Sequence, residues 1–223
     1  MRSCEIYAVL SFIPVSTANR TLNLKIHTSD NETIGAWFVL SDPYYHSLPA
    51  IPTDIAAHVI PALKEYPVIL FFHGNAATRA FSARIRHYQG FSSRLGANVL
   101  AIDYRGFADS TGQPSEAGLL RDARSAFDWL VARGKRPEDI LIVGHSLGTG
   151  VSGLLGTELS SQGINCRGIV LLSVGANSAP VRSSTDDTSI IALHKHTRGT
   201  TYLQHVWFRS LDEAPFCNSG RHW

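Results

Sequence analysis

Short apolar runs recur along the first three quarters of the chain, each bounded by glycine, proline or polar residues. Continuous runs of this kind are typical of strands that are buried on both faces of a parallel sheet. The first run instead alternates apolar and polar residues, and the polar turn Asp30-Asn31-Glu32 separates it from the second. We therefore expect the first two strands to pair antiparallel. The predicted strands lie near residues 21–26, 34–40, 68–72, 98–103, 140–144 and 168–174.

A longer hydrophobic period appears between these runs. From residue 115 to 132, apolar side chains recur every three or four positions, as they do along the buried side of a helix. Ser115 is suited to cap the amino end of this helix, and Gly134 is suited to end it. Further helices are predicted near 79–95 and 147–161. Helices that alternate with apolar strands indicate an α/β fold, a mostly parallel sheet with helices on both faces.

The length of the chain fits one domain, to which we assign residues 21–174. Residues 1–20 precede this domain as an N-terminal segment. Residues 41–67 hold five of the ten prolines and show no clear period, which predicts a loop or insertion within the domain. Residues 175–223 form an atypical C-terminal tail, rich in serine and threonine and without an apolar run of the earlier kind.

The most informative motif is Gly-His-Ser-Leu-Gly at residues 144–148, which directly follows an apolar strand and precedes a helical segment. A G-x-S-x-G sequence in this context is typical of a nucleophile elbow, a sharp turn that exposes the serine at the carboxyl end of a strand. The flanking residues must be small because strand and helix approach closely there. We therefore predict that Ser146 is a catalytic nucleophile.

A second motif, His-Gly-Asn at residues 73–75, ends the strand near 68–72. Two backbone N–H groups that point at the oxygen of a reacting carbonyl form an oxyanion hole. The candidate donors here are the N–H groups of Asn75 and of Leu147, the residue after the nucleophile. An ordinary strand-to-helix turn is the alternative interpretation of this motif. The residues expected to support the elbow and this loop are His73, Gly74, Gly144, His145 and Gly148.

These motifs together resemble the α/β-hydrolase-domain serine hydrolases. The similarity is greatest to the branch that acts on monoacylglycerols and lysophospholipids, which is related to the bud-emergence-type hydrolases. It rests on His73-Gly74-Asn75, Asp103-Tyr104-Arg105-Gly106, Ser115-Glu116 with Asp122, and the segment from Gly144 to Gly150, and it covers about residues 21–174. The resemblance implies a lipase or esterase that cleaves carboxylic, lipid-like esters through an acyl-enzyme on Ser146. It also implies peripheral membrane contact and members anchored at the endoplasmic reticulum, whereas a chain without an anchor would be cytoplasmic.

A serine nucleophile needs a base and an orienting carboxylate. In the fold that the resemblance implies, the acid and then the base follow the serine, after further strands. Asp187 with His205 or His222 has this order, but no strand-and-turn motif flanks them, and residues 190–193 and 202–208 are only weak strand candidates. We therefore expect a truncated or aberrantly joined family member that lacks the last two strands. Its sixth strand would then be an exposed edge.

Other charged residues receive structural interpretations. Asp103 follows a strand and is interpreted as a turn carboxylate. Asp122 and Arg121 are placed on the solvated face of their helix. His73 and His145 are interpreted as packing or loop-shaping residues rather than as the general base. A basic but ordinary polar helix surface is assigned to Arg79, Arg84, Arg86 and Arg94.

Composition narrows the function classes further. The formal net charge is +2 without a basic block, so nucleic acid is not an indicated partner. Three scattered cysteines suggest neither a disulfide framework nor a zinc site, and we predict no metal and no cofactor. Two functions remain open: a serine hydrolase of lipid-like esters, and a catalytically inactive binding module that lacks the acid and base. The oligomeric state is not indicated.

Overall fold

The computed structural model describes residues 19–174 and 188–193. Within these residues, seven strands form one sheet in the order β1-β2-β4-β3-β5-β6-β7. The strands are β1 (Thr21–His27), β2 (Thr33–Val39), β3 (Val68–Phe72), β4 (Asn98–Ile102), β5 (Ile140–His145), β6 (Gly168–Val174) and β7 (Thr188–Leu193).

The middle of the sheet is parallel, as predicted. Strands β4, β3, β5 and β6 are parallel neighbours, with Leu70 of β3 opposite Leu100 of β4 on one side and Ile142 of β5 on the other. Strands β1 and β2 pair antiparallel, and β2 also pairs antiparallel with β4. The carboxyl ends of β3, β4 and β5 therefore meet at one edge of the sheet, where α/β folds place their sites.

In the described part of the chain, five α-helices connect these strands. They are α1 (Asp42–Ser47), α2 (Val59–Glu65), α3 (Ser82–Ser93), α4 (Glu116–Val131) and α5 (Leu147–Ser161). The last three confirm the predicted helices, and Ser115 caps α4 by accepting a hydrogen bond from the Gly118 N–H. Helices α1 and α2 correct the prediction of an irregular segment. They have only six and seven residues, too few for a helical period to show in the sequence.

Helices cover both faces of the sheet, so alternate residues of each central strand enter different parts of the core. On β3, Leu70 and Phe72 pack in the cluster that includes α4 and α5. Ile69 and Phe71 pack in the other cluster, against Tyr88 of α3. This burial on both sides explains the uninterrupted apolar run of β3.

The sixth strand is not an exposed edge, so that prediction is wrong. Strand β7 pairs antiparallel with β6, from Ile169 opposite Leu193 to Val174 opposite Thr188. It contains the weak strand candidate at residues 190–193. Within the described part of the chain no parallel strand follows β6. The other candidate strand, at 202–208, lies outside the described residues.

Candidate active site

Ser146 lies at the tight turn between β5 and α5, in a backbone conformation that non-glycine residues rarely adopt. Its φ is 52° and its ψ is −115°. Such a conformation costs about 1–3 kcal/mol and persists only where the surroundings fix it. Here the Ser146 N–H donates to the Leu172 carbonyl at 3.0 Å, and the Ser146 carbonyl accepts from the Thr149 N–H at 2.9 Å. The side chain of Ser146 is exposed, as a nucleophile elbow requires.

Two glycines of the motif allow this turn because no side chain fits at their positions. A Cβ on Gly148 would lie 2.0 Å from the Phe72 carbonyl oxygen of β3. A Cβ on Gly144 would lie 2.1 Å from the Gly148 carbonyl oxygen. Helix α5 therefore starts in direct backbone contact with the neighbouring strand, which is the close packing that the sequence motif predicts.

The loop after β3 lies beside Ser146. A Cβ built on Gly74 would be 3.1 Å from the Ser146 Cβ and 3.2 Å from the His145 Nδ1. The N–H groups of Asn75 and Leu147 have no hydrogen-bond partner among the described residues. Leu147 is the first residue of α5, so its N–H is one of the unpaired donors at the positive end of the helix dipole. The two predicted oxyanion donors are thus on segments that adjoin Ser146.

His73 is fully buried, and its ring contacts groups in the interior of the protein. Its Nε2 is 3.0 Å from Asp103 Oδ1, and its Nδ1 is 2.7 Å from the Gly74 carbonyl oxygen. The Tyr104 hydroxyl donates to the His73 carbonyl at 2.8 Å. Both ring nitrogens of His73 are thus engaged in the interior, next to the loop after β3.

Asp103 is a buried structural carboxylate rather than a catalytic acid. It accepts hydrogen bonds from His73, from the Arg79 N–H and from the Arg79 guanidinium, with which it forms an ion pair. Burial alone would raise the pKa of Asp103, but the hydrogen bonds and charges of His73 and Arg79 outweigh burial and lower it. Arg79 also binds Asp109 at 2.7 Å and Asn23 at 2.8 Å, so this network joins β1 to the edge that carries the site.

Two of the four arginines assigned to a polar helix surface are buried, which corrects that prediction. Arg79 is 1% exposed and precedes α3, while Arg84 in the first turn of α3 is 6% exposed. Both turn inward because they bind oxygen atoms of the loops that follow β3 and β4. Arg86 and Arg94 are exposed, as expected. No local sequence pattern marks either buried role, because the partners of Arg79 and Arg84 come together only in the folded chain.

The prediction that Asp122 is solvated is also wrong. Its carboxylate is fully buried and accepts three hydrogen bonds from Arg105, from Nε at 3.0 Å, from Nη2 at 2.9 Å and from the backbone N–H at 2.8 Å. Asp122 follows Leu119 by three positions and therefore lies on the buried stripe of α4. Arg121 is half exposed and pairs with Asp30, in agreement with its predicted position.

His145 precedes Ser146 in the motif and lies close to the loop of Gly74. It is half buried, and its ring centroid lies 5.8 Å from that of His87, which stacks on Phe71. Burial lowers the pKa of His145, and the positive charge of Arg84 lowers it further. His145 therefore packs between α3 and the loop of Gly74.

No described residue serves as the base of Ser146. Its Oγ has no hydrogen-bond partner within residues 19–174, and Asp187, His205 and His222 lie outside the described residues. In that same part of the chain no three histidine, cysteine or acidic side chains gather as a metal site would require. Nor is any described helix both long and apolar enough to cross a bilayer.

Comparison with known proteins gives a consistent family. Residues 69–221 match the family described as the alpha/beta hydrolase family. The lysophosphatidylserine lipase ABHD12 of Xenopus tropicalis is 40% identical over 141 residues, covering 60% of this chain and 34% of that protein. The rat protein of the same name is 41% identical over 135 residues, with 60% and 33% covered.

Human protein ABHD12B is 35% identical over 152 residues, 68% of this chain and 41% of that protein. The chain thus spans about a third to two fifths of the length of these curated relatives, 34%, 33% and 41%. An alpha-beta hydrolase from Vibrio vulnificus shares the fold, with a TM-score of 0.54 and 23% identity over 75% of this chain and 50% of that one. On the match over residues 69–221, with the fold and the elbow around Ser146, the chain belongs to the alpha/beta hydrolase family.

Proposed function

We propose that this chain is a serine hydrolase of carboxylic, lipid-like esters that acts through an acyl-enzyme on Ser146. The observation that carries the proposal is the exposed, strained Ser146, flanked by two segments whose N–H groups, those of Asn75 and Leu147, are free to bind an oxyanion. A strained nucleophile beside preorganised donors is the arrangement that acyl transfer needs.

The reaction proceeds in two steps. The Ser146 Oγ attacks the ester carbonyl carbon while a base removes its proton, and the carbonyl oxygen becomes an anion that accepts hydrogen bonds from Asn75 and Leu147. The intermediate collapses, the carbon–oxygen bond to the alcohol breaks, and the alcohol leaves with the proton. Water then attacks the acyl-enzyme by the same route and releases the fatty acid.

The proposal requires an acid and a base that follow Ser146 in the chain order of this fold. Asp187 with His205 or His222 are the candidates in this sequence. His73 is excluded as the base because both of its nitrogens are held in the interior by Gly74 and Asp103.

The substrate class rests on the relatives. Several are named lysophosphatidylserine lipases, so we take single-chain glycerolipid esters, either lysophospholipids or monoacylglycerols, as the substrates of this chain. Such esters lie in membranes or micelles, which makes peripheral contact with a lipid surface part of the proposal.

The test is hydrolysis of p-nitrophenyl butyrate, a monoacylglycerol and a lysophosphatidylserine by three purified proteins: the wild type, Ser146→Ala and Ser93→Ala. Ser93 is an exposed serine at the end of α3, far along the chain from the elbow, and serves as the matched control. We expect hydrolysis by the wild type and by Ser93→Ala and none by Ser146→Ala. Hydrolysis by Ser146→Ala at the wild-type rate would exclude Ser146 as the nucleophile.

A second function, a non-catalytic lipid-binding module, is favoured by one observation. The Ser146 Oγ has no partner in the described part of the chain that could take its proton. This alternative predicts that a lysophospholipid raises the melting temperature of the protein while none of the three esters is hydrolysed. Turnover that depends on Ser146 would exclude it.

A further inference from the structure

We propose that Arg84 is the positioning residue of the oxyanion hole, because it fixes the peptide group whose N–H belongs to Asn75. This inference rests on the proposed function, in which Asn75 is an oxyanion donor. Arg84 neither touches the substrate nor acts as an acid. It acts through the loop of residues 74–78.

The guanidinium of Arg84 gathers the carbonyl groups of that loop. Its Nη2 lies 2.9 Å from the Gly74 oxygen and 2.6 Å from the Ala76 oxygen, and its Nη1 lies 2.7 Å from the Thr78 oxygen. A longer contact of 3.4 Å reaches the Asn75 oxygen. A guanidinium offers five donors in a rigid plane, so one side chain can hold several carbonyls of this loop at once.

The bond to Gly74 is the important one. The Gly74 carbonyl and the Asn75 N–H belong to the same planar trans peptide, so they point in opposite directions and cannot turn independently. The Gly74 oxygen accepts a hydrogen bond from Arg84 Nη2 in the interior, and His73 Nδ1 lies 2.7 Å from the same oxygen. Holding that oxygen inward therefore turns the Asn75 N–H the opposite way, where it has no hydrogen-bond partner among the described residues, on a loop that adjoins Ser146. Hydrogen bonds to the carbonyl also polarise the peptide and strengthen its N–H as a donor.

The loop needs such an anchor. Ala76 and Ala77 both have positive φ angles, 58° and 53°, which cost roughly 1–2 kcal/mol for each residue with a Cβ. Without the guanidinium, nothing in the contacts of the described residues holds the Ala76 carbonyl in place.

The position of Arg84 is otherwise unfavourable for a cation. It is buried, it lies in the first turn of α3 near the positive end of the helix dipole, and within the described residues no carboxylate forms an ion pair with it. Burial accordingly lowers the pKa of Arg84. The loop carbonyls are the groups that compensate this placement.

The experiment compares Arg84→Met, Arg84→Lys and the control Arg86→Met in the full chain. Arg86 lies on the same helix and is exposed. A fluorophosphonate probe is added in excess, and the first-order rate of Ser146 labelling is measured together with its final amplitude. Loss of an oxyanion donor slows acyl transfer by about 100- to 1000-fold, and misplacement of the donor by Arg84→Met should slow labelling by about 10- to 100-fold.

The final amplitude of labelling distinguishes a misplaced oxyanion donor from a loss of folded protein. A partly unfolded sample loses amplitude, whereas a misplaced donor lowers the rate and leaves the amplitude near one label per chain. We expect a slow rate with full amplitude for Arg84→Met, a smaller loss for Arg84→Lys, and the wild-type rate for Arg86→Met. If Arg84→Met fails to fold, Arg84→Lys decides, because it keeps the charge without the planar fork. Wild-type labelling by the folded Arg84 variants would overturn the inference and leave the proposed function standing.

A second readout does not depend on activity. The amide signal of Asn75 in a ¹H–¹⁵N spectrum reports the orientation and polarisation of its N–H. We expect this signal to shift in Arg84→Met and not in Arg86→Met. If the wild type is not labelled, the proposed function is contradicted. If the Asn75 signal also stays unmoved in Arg84→Met, the role of Arg84 is overturned as well.

Discussion

Replacement of Gly148 by alanine tests whether the elbow depends on backbone contact between α5 and β3. The added Cβ would lie 2.0 Å from the Phe72 carbonyl oxygen and 2.6 Å from its carbonyl carbon. Ordinary contact between heavy atoms is near 3.5 Å, so the amino end of α5 would have to retreat by about 1.5 Å. The obstacle is strand backbone in the middle of the sheet and cannot rotate aside as a side chain would.

The expected destabilisation follows from this geometry. Overpacking of a core typically costs about 1–3 kcal/mol, and a clash with backbone belongs at the upper end of that range. For a chain of this size about 3 kcal/mol lowers the melting temperature by roughly 6–12 °C. The shift should also move the Leu147 N–H from the Ser146 side chain, so fluorophosphonate labelling should slow even at temperatures where the variant is folded.

Gly153→Ala is the matched control, since it places the same substitution in the same helix. A Cβ at Gly153 would meet no atom within 4 Å. Alanine is the better helix former by about 0.5–1 kcal/mol, so this variant should melt slightly above the wild type. The assay is thermal unfolding followed by circular dichroism, with the labelling rate measured at 20 degrees below each midpoint. Equal melting temperatures for Gly148→Ala and Gly153→Ala would refute the close-contact account of the elbow.

Further predictions concern the charges behind the site. Asp122→Ala removes the buried partner of Arg105 and should lower the free energy of unfolding, measured in urea, by about 3 kcal/mol. The control Asp128→Ala breaks an exposed pair with Arg124 and should lower it by no more than about 0.5 kcal/mol. Similar losses in the two variants would contradict the burial of Asp122. Burial opposes ionisation of Asp109, but hydrogen bonds from Arg79 and Lys25 lower its pKa to about 2. Its stabilising contribution is therefore complete above the ordinary aspartate value of 3.8 and is lost as the pH falls toward 2. Melting curves of wild type and Asp109→Asn should accordingly differ at pH 6 and converge near pH 2, and a constant difference across that range would contradict the network.

Sequence patterns predicted the central strands well because burial on both faces leaves an unmistakable apolar run, as in β3. The elbow was also predictable. The contact with Phe72 leaves room only for glycine at position 148, and this glycine is part of the G-x-S-x-G motif. Helices α1 and α2 were not, because one or two turns show no period. Strand β7 pairs with β6 through a segment that is only weakly apolar, and its partner could not be read from local sequence.

The buried charges were the least predictable part of the site. Arginine side chains are long, and their partners are set by loops that come together only in the folded protein, as Arg84 and Arg79 show. The burial of Asp122 did have a signal in the sequence. Its spacing from Leu119 places it on the buried stripe of α4, although a carboxylate on a helix more often faces solvent.

The most direct test of the central claim is to find which residue reacts with a fluorophosphonate probe. The folded full chain is incubated with the probe and digested, and the modified peptide is sequenced by mass spectrometry. The account predicts one adduct for each chain, on Ser146, which Ser146→Ala abolishes and Ser93→Ala leaves unchanged. An adduct on another residue, or none in folded protein, would contradict the assignment of Ser146 as an activated nucleophile.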